Sequence, residues 1–478
     1  MAVAAKSLPL RKSHAAEHDD PREHLMHDPR PRGEMNDMVI ESMHSTTWKY
    51  WVATGILAVI VVTCLFYAWY YLIMNGLGVA GVNRPVYWGI FLVEVVFWIG
   101  ISHAGTFISA ILRVLKIESR RPFTRAAELM TTFGLVQAGI SVFLHMGRVW
   151  LAYWLLPFPN ERGLWPDFHS PLMWDFLAIN TYLICSTMYL FLPLIPDLAM
   201  MRDRSTGWQK VFYRVLALGF RGTEGEWKNL HTAMNLFAFA IIPVMFSVHT
   251  IVSWDFAMAT RPGWSSTVFG PYFVIGALHS GMAAVAIVLF LIRSTMKNMK
   301  YFLRPEHFDT LGKLMLMVSM AWAYFYFNDY LVPWYGGDKW EKILSTFIQS
   351  GPLWFLWYTM LICNIVVPWS VLWNKKWRQT PWLLAITGFF INIGMWLERY
   401  IIIPETLTIN RMPFTWRIYV PNIEIFLTIG NFAFFFLLYM LASRVIPLIP
   451  VWEVQEGQIN HTLRKVGKVE LPTLSEMD

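Results

Sequence analysis

The sequence predicts an all-α integral membrane protein with about ten transmembrane helices and both termini in the cytoplasm. Three observations lead there. Of the 478 residues, 56% are hydrophobic and 15% charged, a balance at odds with a soluble chain of this size. The apolar residues fall in runs long enough to cross a hydrocarbon core of about 30 Å, which takes roughly 20 residues; lipid offers no partner to an unpaired peptide group, so such runs are expected as helices. Lysine and arginine alternate in density between successive connections, a topology signal. The net charge of +7 therefore reflects the ends of apolar runs and does not point to nucleic acid.

Taken in order, residues 1–48 are polar and hold His14, His18, His24, His27 and His44 at irregular spacing, with no apolar stretch near the start. A cytoplasmic arm without a signal peptide is expected. Apolar runs follow at about 50–74, 86–112, 126–157, 172–199, 230–258, 271–297, 311–333, 352–373, 381–403 and 421–446. The connections after even-numbered runs, with Arg293, Lys297 and Lys313 at the edges of runs six and seven, carry 19 Lys and Arg residues and those after odd-numbered runs 7. The positive-inside rule puts the first set, and the N-terminus, in the cytoplasm. Trp150, Trp154, Trp165, Trp174, Trp254, Trp264, Trp334 and Trp340 gather at the outward ends, as an interfacial belt would. Between runs four and five, residues 207–220 fit a short interfacial helix. The domain reading is an arm (1–48), a ten-helix membrane domain (49–450) and a polar cytoplasmic tail (451–478) that meets water or a partner.

The three cysteines, Cys64, Cys185 and Cys363, lie in separate apolar runs. An iron–sulfur cluster takes four thiolates, so this chain is expected to hold no cluster of its own. Ionisable residues inside spans are costly and mark pathways or sites. Counting from the outward edges puts Glu94, His145, His249 and His279 at one level of the outer half, where they could converge on one cavity. Asp175 and Asp255 lie nearer the surface, each in a Trp-Asp-Phe triplet, and Arg148 follows His145 at a spacing that shares a helical face. His103 lies deeper; Asp329, Glu398 and Arg399 sit near the outer ends of spans seven and nine and suit an ion pair or a proton-conducting group. Each residue also has a structural reading: hydrogen-bonded packing for the histidines, interhelical pairing for Glu94, helix capping for the aspartates. The chemistry that would use the set is quinol oxidation, in which His and Asp accept protons at neutral pH while electrons leave through a redox centre in another subunit.

At this point the sequence resembles a known family. The segments HAGTFISAILRVL at 103–115, FLHMGRVW at 143–150, SPLMWDFLAIN at 170–180 and SVHTIVSWDFAM at 247–258 are similar to those of the NrfD/PsrC membrane subunits, which exchange electrons between quinone and an iron–sulfur partner. The ten spans and the long N-terminal arm are most like the ActC branch found in bacterial alternative complex III. The resemblance implies two four-helix bundles, spans two to five binding quinol and spans six to nine forming the second, with spans one and ten peripheral. It implies that His145, Arg148, Asp175, His249 and Asp255 surround the head group of a quinol such as menaquinol toward the periplasm, with His145, Asp175 and Asp255 catalytic. Glu94, His103, His279, Asp329 and Glu398 would be candidates for a proton path. It implies a bacterial inner-membrane location with no haem in this chain. The partners it implies are a periplasmic iron–sulfur subunit, multihaem cytochromes of the c type and a homologous membrane subunit. Two other readings stay open on the residues: a haem-b anchor ligated by His145 and His249, and a secondary transporter with buried charges at its substrate site.

Overall fold

The computed structural model describes residues 30–155, 163, 168–460, 463–466 and 469–472; the four histidines His14 to His27 and Trp165 lie outside them. Among the described residues, nine helices are long and apolar enough to cross a membrane. They are α2 (Trp48–Asn75), α3 (Gly89–Val114), α4 (Thr124–His145), α5 (Pro171–Arg204), α7 (Glu224–Ala257), α8 (Phe269–Thr295), α11 (Trp354–Leu372), α12 (Pro381–Thr408) and α13 (Ile423–Val445). A tenth, α9 (Pro305–Gly336), has 32 residues and packs against α8. Shorter helices complete the set: α1 (Arg32–His44), α6 (Gly207–Leu216), α10 (Lys339–Ser350) and α14 (Val451–Asn460). A two-stranded hairpin, Leu463–Val466 with Val469–Pro472, ends the described chain.

Packing sorts the helices by burial. α3 and α8 are apolar on all faces and almost wholly buried, whereas α2, α11 and α13 turn most of their surface outward. α3 packs on α4 and α8, α5 on α7, α8 on α9 and α12, and α11 on α12; α2 and α13 pair with each other at the side. Lipid tails are as apolar as the side chains they meet, so the hydrophobic effect does not draw helices together there and close backbone approach supplies the contact. Small residues provide it along one row. A Cβ on Gly105 of α3 would run into the Ala127 carbonyl oxygen of α4, one on Gly281 of α8 would stand 2.5 Å from Ala104 Cβ of α3, and one on Gly388 of α12 2.5 Å from the Ala283 carbonyl oxygen of α8.

The inner side, taken from the lysine and arginine bias, is closed by two helices that polarity alone hides. In α1, Met35, Val39 and Met43 recur every fourth residue and are buried, while Asp37 pairs with Arg204 and Glu41 with Lys297. α14 buries Glu453 among Arg113, Arg120 and Arg121, at 3.9 Å and 2.9 Å from the first two. Arg125, fully buried, bonds Asp197 at 3.0 Å and the Pro193 carbonyl at 2.8 Å, and the same carbonyl accepts Trp452 Nε1. So residues 30–48 and 451–460, read from sequence as polar arm and tail, are in part packed helices. α6 does form where an interfacial helix is expected, with Trp208, Val211 and Val215 exposed along one side. The third span is shorter than expected: α4 stops at His145, because Gly147 takes a positive φ of 66° with Leu77 packed against it, a conformation that glycine adopts without strain.

Candidate functional site

The two Trp-Asp-Phe triplets come together at the outer side. One occupies the first turns of α5, the other the last turn of α7, and these helices are neighbours. The indoles of Trp174 and Trp254 stand edge to face with centroids 6.0 Å apart. The carboxyl groups of Asp175 and Asp255 lie within hydrogen-bonding reach of each other, and each keeps a buried Oδ1 without a partner. A hydrogen bond between two carboxyl groups needs a proton between them.

Six residues further into α7, about 9 Å at 1.5 Å per residue, His249 is fully buried with neither ring nitrogen hydrogen-bonded. Its ring stands 4.6 Å, centroid to centroid, from that of His103 on α3. His103 Nδ1 is 2.7 Å from the Ile99 carbonyl and Nε2 2.8 Å from the Met245 carbonyl, so a proton on either nitrogen has an acceptor. Deeper still, the hydroxyls of Tyr182 and Thr106 are 2.7 Å apart, and Ser109 donates to Glu128 at 2.5 Å. Polar groups thus follow one another inward between α3, α4, α5 and α7.

A second buried cluster lies between α8, α9 and α12. Glu398 accepts from Trp322 Nε1 at 2.9 Å and from the Tyr272 hydroxyl, and pairs with Arg399. The Arg399 guanidinium lies over the ring of Phe273, 5.8 Å from its centroid, and the same ring packs 6.0 Å from His249. Gly276 makes room for it: a Cβ there would meet Arg399 Nη2 at 3.0 Å. His279 stacks on Trp322 with both nitrogens unpartnered. Asp329 accepts from Ser266 at 2.8 Å.

The structure corrects the expectation that Glu94, His145, His249 and His279 converge. Equal depth is not equal bearing around the helix axis, and the four make different contacts, although His249 borders the second cluster through Phe273. Glu94 is held by the indoles of Trp98 and Trp396 at 2.8 Å and 2.9 Å; His145 stacks on Trp88 with centroids 4.5 Å apart; His279 belongs to the second cluster. His145 is also the last residue of α4, so it sits at the outer end of the span, and Arg148 is exposed beyond the Gly147 turn, off the helical face that the spacing suggested. His145 and His249, the pair a haem would need, make unrelated contacts. Sequence reasoning passed over Tyr182, although it follows Asp175 by seven residues, two turns on one face of α5. It also set Arg399 apart from His249; no local pattern links residues 150 positions distant.

The sequence profile of the polysulphide reductase NrfD family matches residues 78–410. The chain is 26% identical over 428 residues to the menaquinone reductase integral membrane subunit of Nitratidesulfovibrio vulgaris, covering 82% of this chain and 90% of that one. It is 22% identical over 425 residues to the Hdr-like menaquinol oxidoreductase integral membrane subunit of Archaeoglobus fulgidus, covering 85% and 96%. With a putative dimethyl sulfoxide reductase membrane protein of Halobacterium salinarum it shares 26% identity over 251 residues, 52% of this chain and about half, 53%, of that relative's length.

Proposed function

The chain belongs to the polysulphide reductase NrfD family, and on that premise we propose that it is the quinol-oxidising membrane subunit of a multisubunit respiratory oxidoreductase. The observation that carries the reading is the Asp175–Asp255 carboxyl pair, with the tilted, contacting rings of His249 and His103 beneath it on the buried side. Oxidising a quinol to a quinone releases two protons and two electrons. The protons pass to the carboxyl pair and from there to the outer side. The electrons leave to an iron–sulfur cluster of a partner at the outer face and onward to multihaem cytochromes of the c type. In this reading His249, whose ring nitrogens are both unpartnered, accepts from a hydroxyl of the quinol ring. His145 and Arg148, on the outer rim, are the candidates to meet the ring's other oxygen. The names of the Archaeoglobus and Nitratidesulfovibrio relatives support menaquinol as the substrate, and the ten spans and the N-terminal arm favour the alternative complex III branch, with a homologous membrane subunit alongside. A proton path through the second bundle would use Asp329, Glu398 and His279; Glu94, fixed by two indoles, serves better as a packing anchor.

The test is turnover of the assembled complex with a soluble menaquinol analogue. Asp175→Asn and Asp255→Asn, which keep shape and remove the acid, are each expected to lower quinol oxidation at least ~100-fold, the usual size of a lost proton-transfer group, with assembly intact. Turnover within threefold or so of the parent in both variants would overturn the assignment.

A further inference from the structure

A cavity of about 380 Å³ opens at the outer end of the second bundle, roofed by α10. One side of α9 supplies Tyr326, Tyr330 and Trp334 at four-residue spacing, and Trp357 from α11 faces them. Their polar tips are turned into bonds of the wall: Trp357 Nε1 donates to the Tyr326 hydroxyl at 2.6 Å, and Gln349 Nε2 to the Tyr330 hydroxyl at 2.7 Å. Two carboxylates share the same lining. Asp329 is fixed by Ser266, and Glu341 by the Gly263 amide at 2.8 Å and 3.0 Å. Both line the one cavity, and among the described residues neither has an ion-pair partner. Lys342, the cation nearest in sequence, lies at the rim beside Gly337.

Two neighbouring carboxylates lacking a cation, set among aromatic faces, form the chemistry that recognises an organic ammonium ion. Depth argues for its source. Asp329 lies seven residues before the end of α9, about 10 Å below the outer end at 1.5 Å per residue, where lipid head groups meet acyl chains. Trp334 at the mouth is 62% exposed, as an interfacial anchor is. We propose that this cavity binds the head group of an ethanolamine phospholipid, its ammonium between Asp329 and Glu341 and its phosphate toward Lys342. A primary ammonium suits the site because its three N–H donors can serve both carboxylates. The reading stands on this cavity alone and does not depend on the quinol assignment.

Native mass spectrometry of the full chain released from nanodiscs tests it. From discs of equal phosphatidylethanolamine and phosphatidylglycerol, the parent chain is expected to retain one phosphatidylethanolamine in preference to phosphatidylglycerol. Glu341→Gln and, as a variant that breaks no hydrogen bond in the fold, Trp334→Ala are each expected to reduce that preference ~10-fold, about what one lost cation–π or charge contact is worth. Equal retention of the two lipids by the parent, or an unchanged preference in both variants, overturns the proposal. Free ethanolamine, added to discs of phosphatidylglycerol alone, separates the sources. If it raises the unfolding temperature as much as phosphatidylethanolamine discs do, the ligand is a soluble amine and the lipid assignment fails.

Discussion

The inner and outer ends of α3, α4, α5 and α7 use the same residue types to opposite effect. At the inner side each buried carboxylate has a guanidinium at ion-pair distance: Glu453 with Arg113 and Arg120, Asp197 and Glu128 with Arg125, and the half-buried Glu118 and Glu456 with Arg121. At the outer side Asp175 and Asp255 face each other, and His249 has no partner at either nitrogen. Buried charges that are matched hold helices together, and matching leaves them nothing to give to a substrate. Unmatched polar atoms cost stability and persist where a proton or a ligand completes them. The difference, ion pairs at the inner end and none at the outer among the described residues, separates a clamp from a candidate site.

The comparison predicts a crossing of effects. Asp255→Asn is expected to remove most turnover, at least ~100-fold, while leaving the yield of folded chain unchanged, since the amide keeps the shape and can still hydrogen-bond Asp175. Arg125→Ala is expected to do the reverse. It strands Asp197 and Glu128 in the bundle and costs about 3–5 kcal/mol, the usual penalty for breaking a buried pair. Little folded protein should survive detergent extraction, and what survives should retain the parent's activity per folded complex. Thermal unfolding by fluorescence-detected size exclusion, run beside the turnover assay, reads both. If Arg125→Ala lost activity without losing stability, the inner network would belong to the chemistry and the comparison would fail.

A smaller effect is expected from the glycine row at the contacts of α3, α4, α8 and α12. Gly281→Val would drive a side chain into Ala104 and the Ile101 carbonyl of α3, and an overpacked contact costs about 1–3 kcal/mol. Because α3 carries His103, a shift of that helix should also move His103 away from His249. Gly139→Val on α4, where a Cβ meets nothing within 4 Å, is the control and should leave the unfolding temperature unchanged. Equal losses in both variants would mean that valine in a span, not the close approach, is what hurts.

The helices and their faces were legible because length and apolarity report directly on the bilayer. The paired triplets were legible because they repeat a rare pattern at the outer ends of two consecutive spans. Residues at one depth were not separable by counting, because depth says nothing of bearing: Glu94 turns toward Trp396 of α12, His145 toward Trp88, His279 toward Trp322. The end of α4 was hidden because the residues after it, Met146 to Leu156, are as apolar as a span, and one glycine with positive φ decides where the helix stops. α1 and α14 were hidden for the opposite reason. Their composition is polar, and three methionine and valine side chains, or one glutamate among arginines, suffice to dock a short helix on a surface already rich in opposite charge.

The smallest expected effect concerns pH and falls on the clamp. Burial alone would raise the Glu453 carboxyl, but Arg120, Arg113, Arg121 and Arg125 together outweigh it and hold it below its usual value of 4.5. A group depressed in the folded state contributes stability that is full above its unfolded value and is lost as the pH falls through the folded one. Acidification below about pH 4.5 should therefore lower the unfolding temperature of the parent by a few degrees through this residue. Glu453→Gln should start lower at neutral pH and show a shallower decline over that range. The outer carboxyl pair is the counterpart: Asp255→Asn should not flatten the acid limb of the stability profile, because no carboxylate–cation pair there is lost when a carboxyl group takes up a proton. A shallower acid limb in Asp255→Asn than in Glu453→Gln would place the stabilising charge at the outer mouth, and the distinction between clamp and site would have to be redrawn.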